Sequence, residues 1–403
     1  MVRWLIFVVI LLFIDFYSFQ SVKTVTKNKI IFIAYWVLSI AVLANFIYKL
    51  AIFNRAEGIS QEVMFAFGLL ILVFVPKIIA LLILFSEDIF RVLKLGFNYF
   101  TNTSESQFFP ERRTFVSKIA LGLAAIPFAS VLYGMARGKY NYQVIKHTLF
   151  FDDLPEAFDG FKLTHISDIH SGSLDNEDKI SYGIDLINEQ ESNVILFTGD
   201  IVNNTANEMT PWISHFRRLK ARDGKFSVLG NHDYGEYVRW KTKEEKEINF
   251  KAIKDIFPKL GFNLLLNDSI YLKKGNDKIA LVGVENWGKH FKKAGDLELA
   301  SSKINKEDFK ILLSHDPSHW ENEVKNHENN YQLTLSGHTH GMQFGIEIPG
   351  IKWSPVQYIY KQWAGIYKEF ESYINVNRGF GFLGFPGRVG IWPEITVITL
   401  KKK

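Results

Sequence analysis

Five short polar segments in the second part of the chain carry side chains of the types that bind metal ions. Each segment follows an apolar run. In order they supply Asp168 and His170, then Asp200, Asn231 and His315, and finally His338 and His340. Carboxylate, amide and imidazole groups are the ligands that proteins offer to divalent transition metals. The pattern therefore predicts a metal centre assembled from loops at the ends of several strands.

Seven nitrogen and oxygen ligands are too many for one tetrahedral ion, so the sequence predicts two divalent ions that share a bridging carboxylate. Mixed imidazole and carboxylate ligation favours Mn, Fe or Zn over Ca or Mg alone. The chain has no cysteine, which excludes thiolate ligands, thiolate nucleophiles and disulfides. Two ions about 3.5–4 Å apart activate a shared water and hold phosphate oxygens in phosphatases and nucleases. Phosphate-ester hydrolysis is the chemistry that this ligand set indicates.

The elements that must position these ligands alternate between strands and helices. Short apolar runs at residues 162–167, 193–198 and 225–229 read as strands, and helical spacing at 177–189 and 209–220 reads as two crossover helices. Such alternation is typical of parallel βαβ units. Ligands of these sheets bind beyond the carboxyl ends of the strands, where the polar residues fall.

The later strands follow one another closely, at residues 269–272, 279–284, 310–313, 332–335, 373–376 and 395–400, after a long amphipathic helix predicted at 241–260. Strands that are not separated by helices indicate an antiparallel part or a second layer. The fold class predicted for residues 140–403 is therefore α/β, as a two-sheet sandwich flanked by helices.

The first third of the chain, residues 1–139, is predicted to be a transmembrane region of about four helices. Apolar segments at 4–19, 30–53, 63–85 and 115–133 approach or exceed the roughly 20 residues that a helix needs to cross a bilayer. Lysine and arginine concentrate between the first and second segments and between the third and fourth. Since basic loops stay in the cytoplasm, the catalytic domain is expected on the outer or periplasmic face.

Two features of this region allow more than one interpretation. Lys77 lies beside Pro76 at mid-membrane depth and is either a functional charge or a lysine that faces other helices at a proline kink. The pair Arg112-Arg113 before the fourth segment resembles a twin-arginine export signal but serves equally well as a basic topology anchor.

Charge and composition limit the partners. The net charge of +5 is modest for 403 residues, and the lysines are scattered rather than gathered into a stripe. No nucleic-acid footprint is evident, and the sequence implies no protein partner. The expected partners are a phosphate-ester substrate and the membrane.

The order and spacing of the five segments resemble the calcineurin-like metallophosphoesterase family, and with the apolar first third they are similar to its membrane-anchored members. The resemblance covers residues 161–400 and implies a four-layer α/β/β/α fold. It implies a first metal held by Asp168, His170 and His340, a second held by Asn231, His315 and His338, and Asp200 as the bridge. It also implies that His232 faces the substrate as a general acid or phosphate-oxygen stabiliser, with Asp233 orienting its ring.

Substrate recognition is the least determined part of the sequence. Arg378 and Arg388 flank a glycine-rich run and are predicted to bind substrate, although the glycines could serve only turns. Where protein Ser/Thr phosphatases of the family carry an Asp-Arg-Gly run, this chain continues with residues 201–204, Ile-Val-Asn-Asn, which disfavours a phosphoprotein substrate.

An aromatic segment with lysines follows His340. It is interpreted either as a patch at the membrane interface, with a test that replaces Trp353 and Trp363, or as a lid packed over the site. The resemblance makes lipid-linked or envelope substrates plausible, such as a UDP-diacylglucosamine-like lipid A precursor. The alternatives are a non-catalytic, metal-stabilised binding module on a membrane anchor, and a channel or transporter that the domain regulates.

Overall fold

Internal contacts divide the chain into two units, which the computed structural model describes over residues 2–101, 110–289 and 291–403. The first unit comprises residues 1–53 and 62–135, and the second comprises residues 54–61 and 136–403. The short loop at 54–61 therefore belongs with the larger unit, although it lies within the apolar third of the sequence.

The first unit is built from four long apolar helices: α1 (Val2–Val25), α2 (Lys29–Ala51), α3 (Gln61–Thr101) and α4 (Pro110–Ala136). All four are long and apolar enough to cross a membrane, which confirms the four predicted helices. Helix α3 has 41 residues and continues well past the predicted segment at 63–85. Leucine, valine and phenylalanine side chains of α1, α2 and α3 form one core, and small side chains of α3 and α4 form a second.

Lys77 has a charged partner inside this unit. Its ammonium group lies 2.5 Å from the Asp15 carboxylate of α1 and donates to the Ser39 hydroxyl of α2, which itself donates to Asp15. The Tyr35 ring lies 4.3 Å from the same ammonium group. Three helices are thus joined by one buried polar cluster, and neither charge of the cluster is left without a counter-charge.

The twin arginines also have acidic partners on α3. Arg113 forms ion pairs with Glu87 and Asp88, and Arg112 approaches Glu87 at 3.7 Å. These contacts tie α4 to α3.

Over its described residues, the larger unit contains fourteen strands: β1 (Gln143–Phe151), β2 (Lys162–Ile166), β3 (Val194–Phe197), β4 (Lys225–Ser227), β5 (Asn263–Leu264), β6 (Asp268–Lys274), β7 (Asp277–Gly283), β8 (Lys310–Leu313), β9 (Leu333–Ser336), β10 (Ile346–Ile348), β11 (Ile351–Trp353), β12 (Gly365–Glu369), β13 (Ser372–Val376) and β14 (Glu394–Lys402). Two six-stranded sheets run in the orders β1-β14-β2-β3-β4-β5 and β12-β13-β9-β8-β7-β6, and β10 pairs with β11 alone in a small third sheet. The consecutive pairs β2-β3-β4 and β7-β8-β9 are parallel, whereas β2-β14, β6-β7 and β12-β13 are antiparallel.

Three apolar cores define four layers. The helices of this unit are α5 (Glu177–Asn188), α6 (Ile213–Phe216), α7 (Lys243–Lys254), α8 (Ile256–Lys259), α9 (Leu297–Ser301) and α10 (Ser318–Asn322). One core lies between α5–α8 and the first sheet, a second between the two sheets, and a third between the second sheet and α9 and α10. The α/β/β/α fold predicted from the family resemblance is confirmed.

Two predicted helices are shorter than expected because of proline. The segment expected at 209–220 is a 3₁₀ turn through Pro211 followed by the single-turn helix α6. The long helix expected at 241–260 divides into α7 and α8 at Asp255, three residues before Pro258. A proline lacks the amide hydrogen that a helix interior needs, so each helix restarts near it.

The ion pair in the helical unit generates a prediction about stability. We expect Asp15→Ala to lower the unfolding temperature in detergent, because removal of one member of a buried pair leaves the other without a counter-charge, at a cost of about 3–5 kcal/mol. The double variant Asp15→Ala/Lys77→Met should recover much of the loss. A double variant less stable than Asp15→Ala would contradict this view of the pair. Thermal unfolding of the full chain measures both.

Candidate metal centre

The predicted ligands lie in loops that leave the carboxyl ends of parallel strands in both sheets. Asp168 and His170 follow β2, Asp200 follows β3, and Asn231 follows β4. His315 follows β8, and His338 and His340 follow β9. Because the strands of both sheets end at the same edge of the sandwich, five loops that are distant in sequence meet at one place.

Five of the seven predicted ligands occupy the left-handed region of the backbone. The φ angles are 51° at Asp168, 48° at His170, 61° at Asp200, 69° at His338 and 50° at His340. Residues other than glycine adopt this conformation at a cost of about 1–3 kcal/mol each, and such residues cluster at functional sites. The strain turns each side chain inward at the point where its strand ends.

Close contact between neighbouring loops explains two of the motif glycines. A side chain at Gly337 would place its Cβ 1.9 Å from the Ser167 hydroxyl and 2.2 Å from the Asp168 carboxylate. A side chain at Gly230 would place its Cβ 2.2 Å from the Asp200 carboxylate. The loops can bring their ligands together only because these positions lack a Cβ.

The first group of ligands consists of Asp168, His170 and His340. The Nε2 atoms of His340 and His170 lie 3.3 and 3.9 Å from Oδ1 of Asp168. Both Nε2 atoms are buried and have no hydrogen-bond partner among the residues that the structure describes. Buried polar atoms are almost always satisfied, so two orphaned imidazole nitrogens that converge on one carboxylate are what a metal site requires.

The second group consists of Asn231, His315 and His338. Oδ1 of Asn231 lies 3.1 Å from Nε2 of His315 and 2.8 Å from Nδ1 of His338, and these two nitrogens are 3.3 Å apart. Ligand atoms bound at about 2.0–2.2 Å from one ion are separated by about 3.0–3.6 Å. The spacing of this group therefore fits one divalent cation.

Asp200 lies between the two groups. Its Oδ2 is 3.5 Å from Nε2 of His170 in the first group and 3.2 Å from Nε2 of His315 in the second. Its Oδ1 accepts a hydrogen bond from the backbone amide of His232. A carboxylate within reach of both clusters has the position of a bridging ligand, and the residues present fit two cations.

The buried carboxylates and imidazoles shift one another's pKa values. Burial alone would lower the pKa of His315, but the carboxylates of Asp200 and Asp168 raise it to about 10. Burial alone would raise the pKa of Asp200, but the imidazoles of His315 and His232 hold it well below its usual range. Divalent cations that bind these residues would compete with protons for the same ligand atoms.

The expectation for Asp233 needs a correction, whereas His232 remains at the edge of the ligand groups. The carboxylate of Asp233 accepts hydrogen bonds from the backbone amides of Gly230, Asp200 and Ile201, each at 2.9 Å. The His232 ring instead has Nδ1 placed 2.8 Å from the carbonyl oxygen of Asn203. Asp233 therefore holds two ligand loops together, and Asn203 rather than Asp233 orients the ring.

Several residues that sequence reasoning did not assign to the site support its ligands. Oδ1 of Asn203 lies 3.1 Å from Nδ1 of His170, and the carbonyl oxygen of Thr198 lies 2.6 Å from Nδ1 of His315. The hydroxyl of Tyr360 lies 2.8 Å from Nε2 of His338, and the hydroxyl of Tyr237 accepts from the Asn231 amide at 2.7 Å. Partners of this kind fix the tautomer and orientation of metal ligands.

Both predicted substrate arginines are engaged with the protein. Arg378 is buried and forms ion pairs with Glu394 and Glu347. Arg388 is fully buried and donates to the carbonyl oxygens of Gly381 and Arg378, and its Nη2 lies 3.2 Å from Nδ1 of His340. The pKa of Arg388 is lowered by burial to about 9, so the group stays charged at neutral pH. Binding of substrate by either arginine stays a prediction.

The aromatic segment after His340 divides into a buried part and an exposed part. Trp363 is buried against Val356 and Ile391, and Tyr360 packs against the same cluster. Tyr358 and Ile359 are exposed. A Trp363 variant would therefore disturb this packing, and the proposed test of interface contact must use exposed residues instead.

Comparisons with known proteins agree with this geometry. A model described as "Probable Calcineurin-like phosphoesterase, transmembrane domain" matches residues 2–139, and one described as "Calcineurin-like phosphoesterase" matches residues 161–342. The chain is 32% identical over 276 residues to the "Uncharacterized metallophosphoesterase YkuE" of Bacillus subtilis, an alignment that covers 67% of this chain and 90% of the relative. It is 25% identical over 300 residues to the "Transmembrane protein with metallophosphoesterase domain" of Danio rerio, covering 72% of this chain and 63% of the relative. An "Uncharacterized metallophosphoesterase" of Helicobacter pylori is 26% identical over 324 residues, covering 79% of this chain and 80% of the relative.

The position of Asp200 generates a prediction about metal content. We expect the isosteric variant Asp200→Asn to bind fewer than two metal equivalents, because an amide carries no charge and bridges two cations poorly. Asp185→Asn, a substitution of an exposed aspartate on α5, serves as the control and should leave the metal content unchanged. Elemental analysis after dialysis against Mn²⁺ or Zn²⁺ measures the stoichiometry. Two equivalents retained by Asp200→Asn would rule out the bridging position.

Proposed function

Because the chain belongs to the calcineurin-like phosphoesterase family, we propose that it is a membrane-anchored, two-metal hydrolase whose substrate is a lipid-linked phosphate ester. The bond cleaved is a phosphodiester, phosphomonoester or pyrophosphate bond. The observation that carries this proposal is the position of Asp200, whose carboxylate is within 3.5 Å of both histidine groups. Such an arrangement suits a pair of metal ions better than a single structural ion.

The chain's own residues divide the work as follows. Asp168, His170 and His340 would hold one cation, Asn231, His315 and His338 would hold the other, and Asp200 would be shared between them. Bound at these residues, Mn, Fe or Zn would supply the Lewis acidity that activates water and neutralises the phosphate oxygens. The contacts of Asn203 with His170 and of Tyr360 with His338 would fix the orientation of these imidazoles when cations bind.

His232 is proposed to move the proton that the leaving group needs. Its Nδ1 points to the carbonyl oxygen of Asn203 and so carries a hydrogen, which leaves Nε2 as the atom that can face a substrate. Its ring lies 4.9 Å from the ring of His170 and 4.3 Å from the ring of Tyr237. A protonated His232 in this position can donate to a phosphate oxygen or to the leaving-group oxygen.

The choice of a lipid-linked substrate rests on the membrane anchor and the aromatic surroundings of the second ligand group. The catalytic unit is continuous with helices that can cross a membrane. The rings of Phe291 and Tyr360 lie 4.7 and 5.5 Å from the ring of His338, and they offer apolar contact beside the phosphate position. Envelope phospholipids and a UDP-diacylglucosamine-like lipid A precursor are the substrates to test first.

The orientation proposed for the chain places the catalytic unit on the outer or periplasmic face. The support is the positive-inside distribution of lysine and arginine around the α1–α2 connection and in the end of α3 and the start of α4. These basic residues are Lys23, Lys27, Lys29, Arg91, Lys94, Arg112, Arg113 and Lys118. The ion pairs of Arg112 and Arg113 with α3 favour a topology anchor over a cleaved or released export signal.

Hydrolysis by the full chain in detergent tests the mechanism. We expect Mn²⁺- or Zn²⁺-dependent cleavage of a chromogenic phosphodiester or monoester, loss of activity with chelator, and loss of activity in Asp200→Ala. We expect His232→Ala to lower kcat by about 10²–10⁴-fold while metal content stays normal, because the lost group transfers a proton and binds no cation. His215→Ala, outside the site, is the control.

Outcomes of this experiment also separate the two candidate functions. A protein that binds two metal equivalents yet hydrolyses no ester, with His232→Ala indistinguishable from the parent in every assay, would be the metal-stabilised binding module. Activity that survives chelation and Asp200→Ala would overturn the two-metal mechanism.

The absence of cysteine makes the orientation directly measurable. We expect a single cysteine at Phe150, an exposed position of the catalytic unit, to react with a membrane-impermeant maleimide in intact bacterial cells. A cysteine at Lys27, between α1 and α2, should react only after permeabilisation. The reversed pattern would place the catalytic unit in the cytoplasm.

A further inference from the structure

A small hairpin projects from the segment that follows His340. Within the part of the chain that the structure describes, strands β10 and β11 pair only with each other, from Ile346 opposite Trp353 to Ile348 opposite Ile351. Ile346, Ile348 and Ile351 are 48%, 55% and 53% exposed. An isolated two-stranded hairpin is marginally stable in water, and clustered exposed apolar side chains mark an interaction surface. This element, residues 346–353, is called the isoleucine hairpin below.

The charged side chains of the isoleucine hairpin are directed to the protein rather than to its tip. Glu347 forms an ion pair with buried Arg378, and the Lys352 ammonium group donates to the carbonyl oxygen of Ala364. The tip itself, residues 348–351, reads Ile-Pro-Gly-Ile. The surface left for a partner is therefore apolar and carries no free charge at the turn.

The segment at residues 388–392 contacts both the base of the hairpin and the residues that follow α4. The backbone amide of Gly345 donates to the carbonyl oxygen of Val389 at 2.9 Å. Gly138, two residues after α4 ends, packs so closely on residues 388–392 that a Cβ there would lie 2.5 Å from the carbonyl oxygen of Arg388 and 2.7 Å from the Trp392 ring. One short segment thus contacts both the hairpin and the point where the chain enters the catalytic unit.

The loop at 54–61, where the chain passes between α2 and α3, also packs on the catalytic unit. The Gln61 amide donates to the carbonyl oxygen of Leu174 at 2.8 Å, and the Arg239 backbone amide donates to the carbonyl oxygen of Arg55 at 3.0 Å. Leu174 and Arg239 lie shortly after the ligand residues His170 and Asn231. The loop at 54–61 therefore contacts the segments that follow two of the predicted ligands.

The hairpin is also joined to the metal ligands themselves. The segment that carries it begins at His340, and its returning strand leads to Tyr360, whose hydroxyl lies 2.8 Å from Nε2 of His338. Arg388, in the segment beneath the hairpin, reaches Nδ1 of His340. Any surface that receives the hairpin is brought close to both ligand groups.

We propose that the isoleucine hairpin inserts into the interfacial layer of the bilayer that anchors the chain, and so holds the metal centre at the level of lipid head-group phosphates. The bilayer is the favoured occupant because the chain enters the catalytic unit beside the hairpin base and because the tip is apolar and uncharged. Exposed apolar side chains such as these isoleucines bind at the boundary between head groups and acyl chains. The inference deepens the proposed function, on which its substrate class rests.

A fluorescence experiment tests the insertion without reference to activity. The full chain has no cysteine, so Ile348→Cys can carry a single environment-sensitive nitrobenzoxadiazole label. In phosphatidylcholine–phosphatidylglycerol vesicles we expect its emission to shift to the blue and to be quenched by doxyl-labelled lipid. The matched control is Phe150→Cys, because Phe150 is 53% exposed. It lies near the end of β1, seven residues or about 23 Å along the strand from Gln143.

The outcomes of the label experiment are distinct. The proposal is overturned if the label at position 348 emits at the same wavelength as the label at position 150 and is not quenched by doxyl-labelled lipid. A blue shift that persists in detergent, depends on protein concentration and is insensitive to doxyl lipid also overturns it, because the hairpin then binds a second copy of the chain. Failure of the proposed hydrolase activity would leave these readings unaffected, so the two failures can be told apart.

A second variant tests the consequence for substrate. We expect Ile348→Asp/Ile351→Asp to lower the ratio of two hydrolysis rates at least tenfold: the rate on a p-nitrophenyl phosphodiester of diacylglycerol in vesicles, divided by the rate on soluble bis-p-nitrophenyl phosphate. Phe150→Asp should keep the parental ratio. A parental ratio in the double aspartate variant would overturn the role of the hairpin in holding the site at the lipid surface.

Discussion

The buried carboxylate of Asp200 is the constraint on which the larger unit depends. A carboxylate removed from water is tolerated only beside positive charge or strong hydrogen-bond donors. Asp200 meets this requirement through the imidazole of His315, whose Nε2 lies 3.2 Å away, and through the backbone amide of His232, which donates to its Oδ1. These three residues follow three different strands in two sheets. The requirement can be satisfied only if both sheets end at one edge and their loops turn inward.

The local backbone reflects this demand. The ligand residues accept left-handed conformations that cost free energy, and Gly230 and Gly337 allow neighbouring loops to approach to distances that any Cβ would block. Asp233 offsets part of this free-energy cost, because its carboxylate accepts hydrogen bonds from backbone amides of the loop after β4 and of the loop after β3. The apolar cores hold the sandwich, and the polar edge adds strain that those cores must offset.

The sequence was sufficient for the layers and for the candidate ligands that the structure brings together, but not for the residues that contact those candidates from other loops. Asp168 and His338 stand in short motifs directly after apolar runs, so their role can be read from local pattern. Asn203 and Tyr360 have no such signature, because their contacts with His170 and His338 exist only once separate loops have met. The same limit explains why the contacts of Asp233 could not be predicted. Its carboxylate accepts from the backbone amides of Gly230 and Asp200, whereas the adjacent His232 ring contacts Asn203.

Burial was the other property that composition could not reveal. Arg378 and Arg388 looked like free cations beside glycines, yet their guanidinium groups hold the loops around the site. Trp363 is of a residue type that favours membrane interfaces, but it is buried. The exposed hairpin is formed instead by Ile346, Ile348 and Ile351, which belong to no motif. Aromatic and basic residues attract functional interpretation by type alone. Which of them faces solvent depends on sheet pairings that a single sequence does not display.

Arg388 connects these observations physically. Its guanidinium group is buried and charged, and it is satisfied by carbonyl oxygens on one side and by His340 on the other. Its own backbone contacts Gly138, and the next residue, Val389, accepts the hydrogen bond from the base of the isoleucine hairpin. A displacement of this segment would therefore alter a metal ligand, the hairpin and the connection to α4 together. Because a buried guanidinium tolerates little movement without losing its partners, His340 and the base of the hairpin are held in a fixed relation within the larger unit.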